Sequence, residues 1–153
     1  MGVKITTKVK SGGLDGVKKR CGGSAQLLGG VLGNPVNHET GEKIALYAYY
    51  NEFGTVNTPA RPFLRNAVEK HEAEWRKMLE AALRSGLSMR QALEAIRNVV
   101  RADIVASIKA SGDFDPLSPE TIKAKERKGT TNAATPLIDT TSLIRSIATE
   151  VRE

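Results

Sequence analysis

Apolar and polar residues alternate from the start of the chain, with Val3, Ile5, Thr7 and Val9 set against Lys4, Thr6 and Lys8. A period of two predicts a half-buried strand over residues 3–9. Ser11 is placed to cap a short helix, which Gly12, Gly13 and Gly16 weaken. Over 24–33, Leu27, Leu28, Val31 and Leu32 sit between glycines and predict a second strand, bulged or sharply bent near Gly29-Gly30. Residues 34–41 read as a loop. A helix is expected over 42–53, with Ile44, Ala45, Ala48 and Tyr49 on one face and Tyr47, Tyr50 and Asn51 on another. Gly54 supplies the residue that ends it.

The period then lengthens. Leu64, Ala67, Val68, His71, Trp75, Met78, Leu79, Ala82 and Leu83 recur at steps of three and four, as on one face of a helix over 63–84. Its outer face carries opposite charges four apart, Lys70–Glu74, Glu72–Arg76, Arg76–Glu80 and Glu80–Arg84. Such pairs add only a few tenths of a kcal/mol each, so the apolar stripe decides. Ser85-Gly86 stops this helix and Ser88 caps the next, over 89–110, striped by Met89, Leu93, Ile96, Val100, Ile104 and Ile108. Arg90, Arg97 and Arg101, with Glu94 among them, share its outward face. Two long helices joined by a short glycine turn make a helical hairpin.

Regularity fades over residues 112–136, which are punctuated by Asp115-Pro116, Ser118-Pro119 and Gly129. Ser118 with Pro119 at the first helical position predicts a short helix over 119–128 with irregular flanks. That much irregular chain suits a segment that orders against a partner. Asp139-Thr140 then read as the N-cap of a short helix carrying Leu143 and Ile144, and alternation over 146–152 predicts a closing strand. These elements predict one α+β domain over 1–153. In it a small, mostly antiparallel sheet from 3–9, 24–33 and 146–152 packs on the hairpin of 63–84 and 89–110.

The length of 153 residues suffices to bury a core, which at 5% aromatic residues must be mostly aliphatic. The net charge of +6 favours acidic partners: nucleic acid, an anionic membrane or an acidic protein surface. Lys4, Lys8, Lys10, Lys18, Lys19 and Arg20 form one cluster, and Lys123, Lys125, Arg127 and Lys128 another. No aromatic residues interleave with these lysines, which argues against a stacking platform for nucleic acid. Cys21 is the only cysteine, so the chain has no internal disulfide. No apolar run approaches the ~18 residues of a membrane helix.

Reactive constellations are sparse. His38 and His71 have no His or Cys neighbour at metal-ligand spacing, and His71 falls on a buried stripe, as a packed core histidine would. The basic neighbours of Cys21 would lower its pKa if close, but no base is paired with it. The glycine-rich stretches do not continue as phosphate-binding or dinucleotide motifs. Asp113, Asp115 and Glu120 are carboxylates that a metal-dependent nuclease could use, though Asp-Pro and capping acids are ordinary turn chemistry. No cofactor is expected.

The most shaped stretch is Asn51-Glu52-Phe53-Gly54-Thr55 followed by Pro59-Ala60-Arg61-Pro62-Phe63-Leu64-Arg65. Pro59 and Pro62 stiffen the loop that carries Arg61, and Arg65 follows one turn into the helix. A stiff arginine suits a two-pronged contact with a carboxylate. Two readings stay open: an internal Glu52–Arg61 pair that fixes the turn, or Arg61 set against a neighbouring subunit.

This stretch resembles the signature of tail-completion and neck proteins of tailed bacteriophages. A second stretch agrees: Pro116-Leu117-Ser118-Pro119-Glu120-Thr121-Ile122, then Pro136-Leu137-Ile138-Asp139-Thr140. It is similar to a run in phage virion-morphogenesis proteins of the Mu-like type. There glycine follows Asp-Thr, whereas this chain has Thr141. A β-branched residue adopts positive φ poorly, so the expectation is a different turn or a dispensable glycine. The resemblance implies a small α+β subunit without catalysis, assembled as a homo-oligomeric ring at the head–tail junction of the virion and present in the host cytoplasm during assembly. Its partners would be other neck, connector or tail-tube proteins, with DNA passing through the ring unread and no membrane involved. The subunit contacts, or the joint that shapes them, would fall at Glu52, Phe53, Gly54, Arg61, Phe63, Arg65, Asp139 and Thr140.

Overall fold

A computed structural model describes residues 2–5, 24–38, 41–110, 114–129, 133–137 and 141–153. The fold is α+β. Its described elements run β1 (Gly2–Ile5), β2 (Gln26–Val31), α1 (Ile44–Phe53), α2 (Phe63–Arg84), α3 (Met89–Lys109), α4 (Pro119–Arg127), α5 (Ser142–Ser146) and β3 (Ile147–Arg152). The strands form an antiparallel sheet in the order β1-β2-β3. The helix expected after Ser11, the cluster Lys8, Lys10, Lys18, Lys19 and Arg20, and Cys21 lie outside the described residues.

One face of the sheet is built from cross-strand pairs. Leu27 faces Val151, Gly29 faces Thr149 and Val31 faces Ile147. Leu27, Val31, Ile147 and Val151 are buried. Helix α3 lies against β2 and β3, and α2 packs along α3. The sheet is thus covered chiefly by the second helix of the hairpin.

The expected bulge at Gly29-Gly30 is not formed between β2 and β3, which pair in unbroken register from Gln26–Arg152 to Val31–Ile147. Gly29 serves another need. A Cβ there would fall 3.1 Å from Ile104 Cδ1 and 3.6 Å from Val100 Cγ1. Lacking a side chain, Gly29 lets α3 approach the sheet closely.

The hairpin follows its stripes. Phe63, Leu64, Ala67, Trp75 and Leu79 of α2 are buried, as are Leu93, Ile96, Val100, Ile104 and Ile108 of α3. Ser88 accepts from the Gln91 amide while the Gln91 side chain accepts from the Ser88 amide, a reciprocal cap. Trp75 is tied across the hairpin by its indole N–H, 2.6 Å from Asp103 Oδ2. His71 is only half-buried, which corrects its placement in the core. It stacks on Trp75 with ring centroids 6.1 Å apart and lies 3.9 Å from Asp103 and 3.7 Å from Glu74. The outward arginines of α3 reach past the helix. Arg101 Nε donates to the Ile147 carbonyl at 2.7 Å, and Arg90 meets Glu153 at 2.9 Å, both at ends of β3.

The segment expected to be irregular has firm anchors. Phe114 and Leu137 are buried in the core. Between them, Ser118 caps α4 by accepting from the Thr121 amide at 3.3 Å, with Pro119 at the first turn.

Candidate interaction surface

The end of α1 and the start of α2 meet through Glu52. Helix α2 begins after Pro62, which has no side-chain acceptor, and its first turn holds no acidic residue. Its first amides therefore need an acceptor from elsewhere. Glu52 supplies it: Oε2 accepts from the Leu64 amide at 2.9 Å and Oε1 from the Arg65 amide at 3.0 Å. A carboxylate at the positive end of a helix is also favoured by the helix dipole. Arg65 closes the arrangement, its Nε 3.1 Å from Glu52 Oε1 and its Nη2 2.5 Å from the Glu52 carbonyl. Glu52 is only 2% exposed. The internal partner of Glu52 is thus Arg65, and no Glu52–Arg61 pair forms.

Gly54 makes the joint possible. It ends α1 at φ 75°, and its amide donates to the Tyr50 carbonyl. A Cβ at this site would lie 2.9 Å from the Ala60 amide nitrogen and 3.0 Å from the Thr58 carbonyl oxygen. Beyond it, Thr55 and Thr58 exchange backbone hydrogen bonds of 2.9 and 3.3 Å, so residues 55–58 form a tight turn. Val56 stands fully exposed at its tip.

Around this joint the usual distribution of side chains is reversed. Val36, Leu46, Tyr47, Tyr49, Tyr50, Phe53 and Val56 are the large apolar residues exposed among the described ones, and all fall between positions 36 and 56. Tyr49 packs on Phe53 with centroids 4.9 Å apart and meets Tyr50 edge-on at 6.1 Å. The Arg65 guanidinium lies 5.3 Å from the centre of the Phe53 ring. Phe53 itself remains 53% exposed. Leu46, Tyr49, Tyr50 and Phe53, at steps of three and four, thus share the outer face of α1. The pattern had placed Tyr49 with Ile44 and Ala48 on a single face; instead Ile44, Ala48, Asn51 and Glu52 turn inward and Tyr49 turns out.

Arg61 points the other way and is buried, at 5% exposure. Its amide donates to the Asn51 carbonyl at 2.6 Å and its carbonyl accepts from the Phe63 amide at 2.8 Å. Its side chain helps line an open groove of about 630 Å³, together with Tyr47, Tyr50, Leu117, Lys125 and Lys128. A smaller cavity of about 150 Å³ shares Tyr47 and Lys128 and reaches Thr141. Lys125, buried although charged, donates from Nζ to the Thr135 carbonyl at 2.9 Å.

The sequence-predicted residues thus divide. Glu52, Gly54 and Arg65 form the joint, Phe53 belongs to the exposed face, and Arg61 belongs to the groove. Phe63 is fully buried, so its part is internal packing rather than contact with a partner. Asp139 and Thr140 lie outside the described residues. The N-cap of α5 is Thr141, at φ 58° and without a side-chain cap bond. This threonine takes the left-handed conformation directly, where a different turn was one expectation. With Leu137 at φ 61°, it makes two non-glycine residues of positive φ among the described residues, both beside the groove or its neighbouring cavity. Such strain persists only where surrounding structure holds it.

The alternative chemistry gains little geometry. Asp115 and Glu120 are exposed, and Asp113 lies outside the described residues. Among the described residues, no group of three His, Cys, Asp or Glu side chains is placed to hold a metal ion. No described helix is long and apolar enough to cross a membrane. Sequence reasoning placed Lys125 in a basic cluster but missed its burial, and it missed the tyrosine face. It also missed the capping role of Glu52, for which the lack of any cap at Pro62 was the available signal. Comparison of the chain with protein-family models, curated proteins and solved structures finds no match.

Proposed function

We propose that the chain is a structural subunit of a tailed-bacteriophage particle, acting in tail completion or head–tail joining as part of a ring. The observation that carries this reading is the outward aromatic face on α1 and the turn after it, Leu46, Tyr49, Tyr50, Phe53 and Val56. Exposed aromatic area is costly for a solitary protein and useful to one that is covered on assembly. The motif resemblance adds a reason for this joint in this place. Tyr49 and Phe53, four apart on α1, stand together on its outer face, and Glu52 and Gly54 fix how that helix meets α2. Neck, connector or tail-tube proteins and further copies of the chain are the proposed partners. A net charge of +6 suits a ring through which DNA passes, acting on phosphates without reading bases.

The test is deletion of the coding gene from the genome that carries it, followed by induction and imaging of the particles. Full heads beside separate, unjoined tails, rescued by added purified protein, are the expected result. Intact infectious particles would sink the proposal.

One observation favours a second reading, a nucleic-acid-binding module. Tyr47 shares the smaller cavity with Lys43 and Lys128, an aromatic beside cations. That reading predicts that the isolated chain binds DNA with a steep loss of affinity as salt rises.

A further inference from the structure

The groove beside the joint contains a charge that the described chain does not neutralise. Arg61 is buried and its Nε has no hydrogen-bond partner. Its side-chain hydrogen bond, from Nη2 to the Asp115 carbonyl, is long at 3.4 Å. A guanidinium does not shed its proton inside a protein, so titration offers no relief from desolvation. Nor is the backbone that carries it free to move away. Pro59 and Pro62 flank it, and hydrogen bonds to Asn51 and Phe63 pin both sides of the residue. A buried, unpaired cation is strongly unfavourable unless something supplies the opposite charge.

The walls indicate what that something is. No described residue lining the groove bears a carboxylate, while the exposed Lys128 adds positive charge at its rim. The remaining walls are largely apolar or neutral, including Tyr47, Tyr50 and Leu117. At about 630 Å³ the groove is far larger than one small anion, and Tyr47 and Tyr50 continue it into the exposed aromatic face. We infer that this groove is a binding site for an acidic peptide segment of a partner protein, one of whose carboxylates pairs with Arg61. The planar edge of a guanidinium matches a carboxylate through two parallel hydrogen bonds. The apolar walls accept the methylenes and backbone of the same segment. A nucleic-acid backbone fits less well, because it is gripped by exposed cations spaced along its path, not by one buried arginine among tyrosines and prolines. The inference rests on Arg61 and its groove and holds whether or not the partner belongs to a virus particle.

The test follows the arginine side-chain N–H signals of the full chain by nuclear magnetic resonance, with the Arg61 Nε–Hε signal assigned by its loss in Arg61→Lys. The probes are a capped tetraglutamate peptide, the matching tetraglutamine peptide and inorganic phosphate. A saturable shift of the Arg61 signal with the glutamate peptide and none with the glutamine peptide is expected. Affinity should fall about fivefold in Lys128→Glu, an exposed change at the rim that leaves the fold intact. An Arg61 signal that stays fixed at millimolar glutamate peptide, in a chain whose backbone spectrum is folded, would overturn the inference. So would a phosphate response at equal or lower concentration, which would make this a general oxyanion site.

Discussion

The hairpin with its sheet and the joint with its groove solve the burial problem in opposite ways. In the first region Leu93, Ile96, Val100 and Ile104 lie inside, while Arg76, Arg84 and Arg90 face water. In the second, Glu52, Arg61 and Lys125 lie inside, while Tyr49, Tyr50 and Phe53 face water. The first arrangement is what folding alone favours. In the second, Glu52 is satisfied internally by the first amides of α2 and by Arg65, whereas Arg61 keeps an unpartnered Nε and the aromatic face stays open to water. On the proposed reading, the second region combines a stabilising joint at Glu52 with a surface left for a partner.

The sharpest way to break that division is to damage each side and compare. Ile104 is fully buried and sits over Gly29. Ile104→Ala should destabilise the fold by about 2–5 kcal/mol in urea unfolding, as large-to-small core changes do. Glu52→Ala should follow, at about 2–3 kcal/mol, because it strips a charged acceptor from the Leu64 and Arg65 amides. Glu52→Gln should recover part of that loss, since one acceptor oxygen remains. A neutral result for Glu52→Ala would mean that α2 needs no cap and that the joint is not held as described.

Smaller changes sharpen the comparison. Thr141 sits at φ 58°, so Thr141→Gly relieves strain at the cost of a more flexible unfolded chain. A net gain of up to about 1 kcal/mol in unfolding free energy is expected. At the exposed end of the sheet, the Arg152 side chain hydrogen-bonds Glu150 at 2.8 Å and lowers its carboxyl pKa. A lowered folded-state pKa contributes stability that is present above the ordinary value of 4.5 and is lost as pH falls through the folded value. The pair is solvent-exposed, so the effect should be small. Titration followed by carboxyl carbon resonances should place Glu150 below its ordinary value in wild type and return it toward that value in Arg152→Ala.

The two regions also differ in how plainly the sequence announces them. The hairpin could be read because α2 and α3 are long, and each repeats its stripe over many turns. The closing strand could be read because Ile147, Thr149 and Val151 alternate. The role of Gly29 could not, since it depends on where α3 passes across the sheet. In α1 the pattern groups Tyr49 with Ile44 and Ala48 but does not tell which face turns inward. The helix is short, and its inward face is completed by Asn51 and Glu52 instead. The joint drew attention through its prolines and glycine, but the choice of Arg65 over Arg61 as partner to Glu52 is set by the uncapped start of α2. The burial of Arg61 has no local signature, because the carbonyl it meets, that of Asp115, lies more than fifty residues away in the chain.

The central claim is that the outward aromatic face is a contact surface and not a stability element. Tyr49→Ser with Phe53→Ser tests it most directly. Both side chains are exposed, so the variant should unfold within about 1 kcal/mol of wild type. Added to particles made without the chain, it should leave heads and tails unjoined where the wild-type protein joins them. A folded variant that joins them as well as wild type would contradict the account.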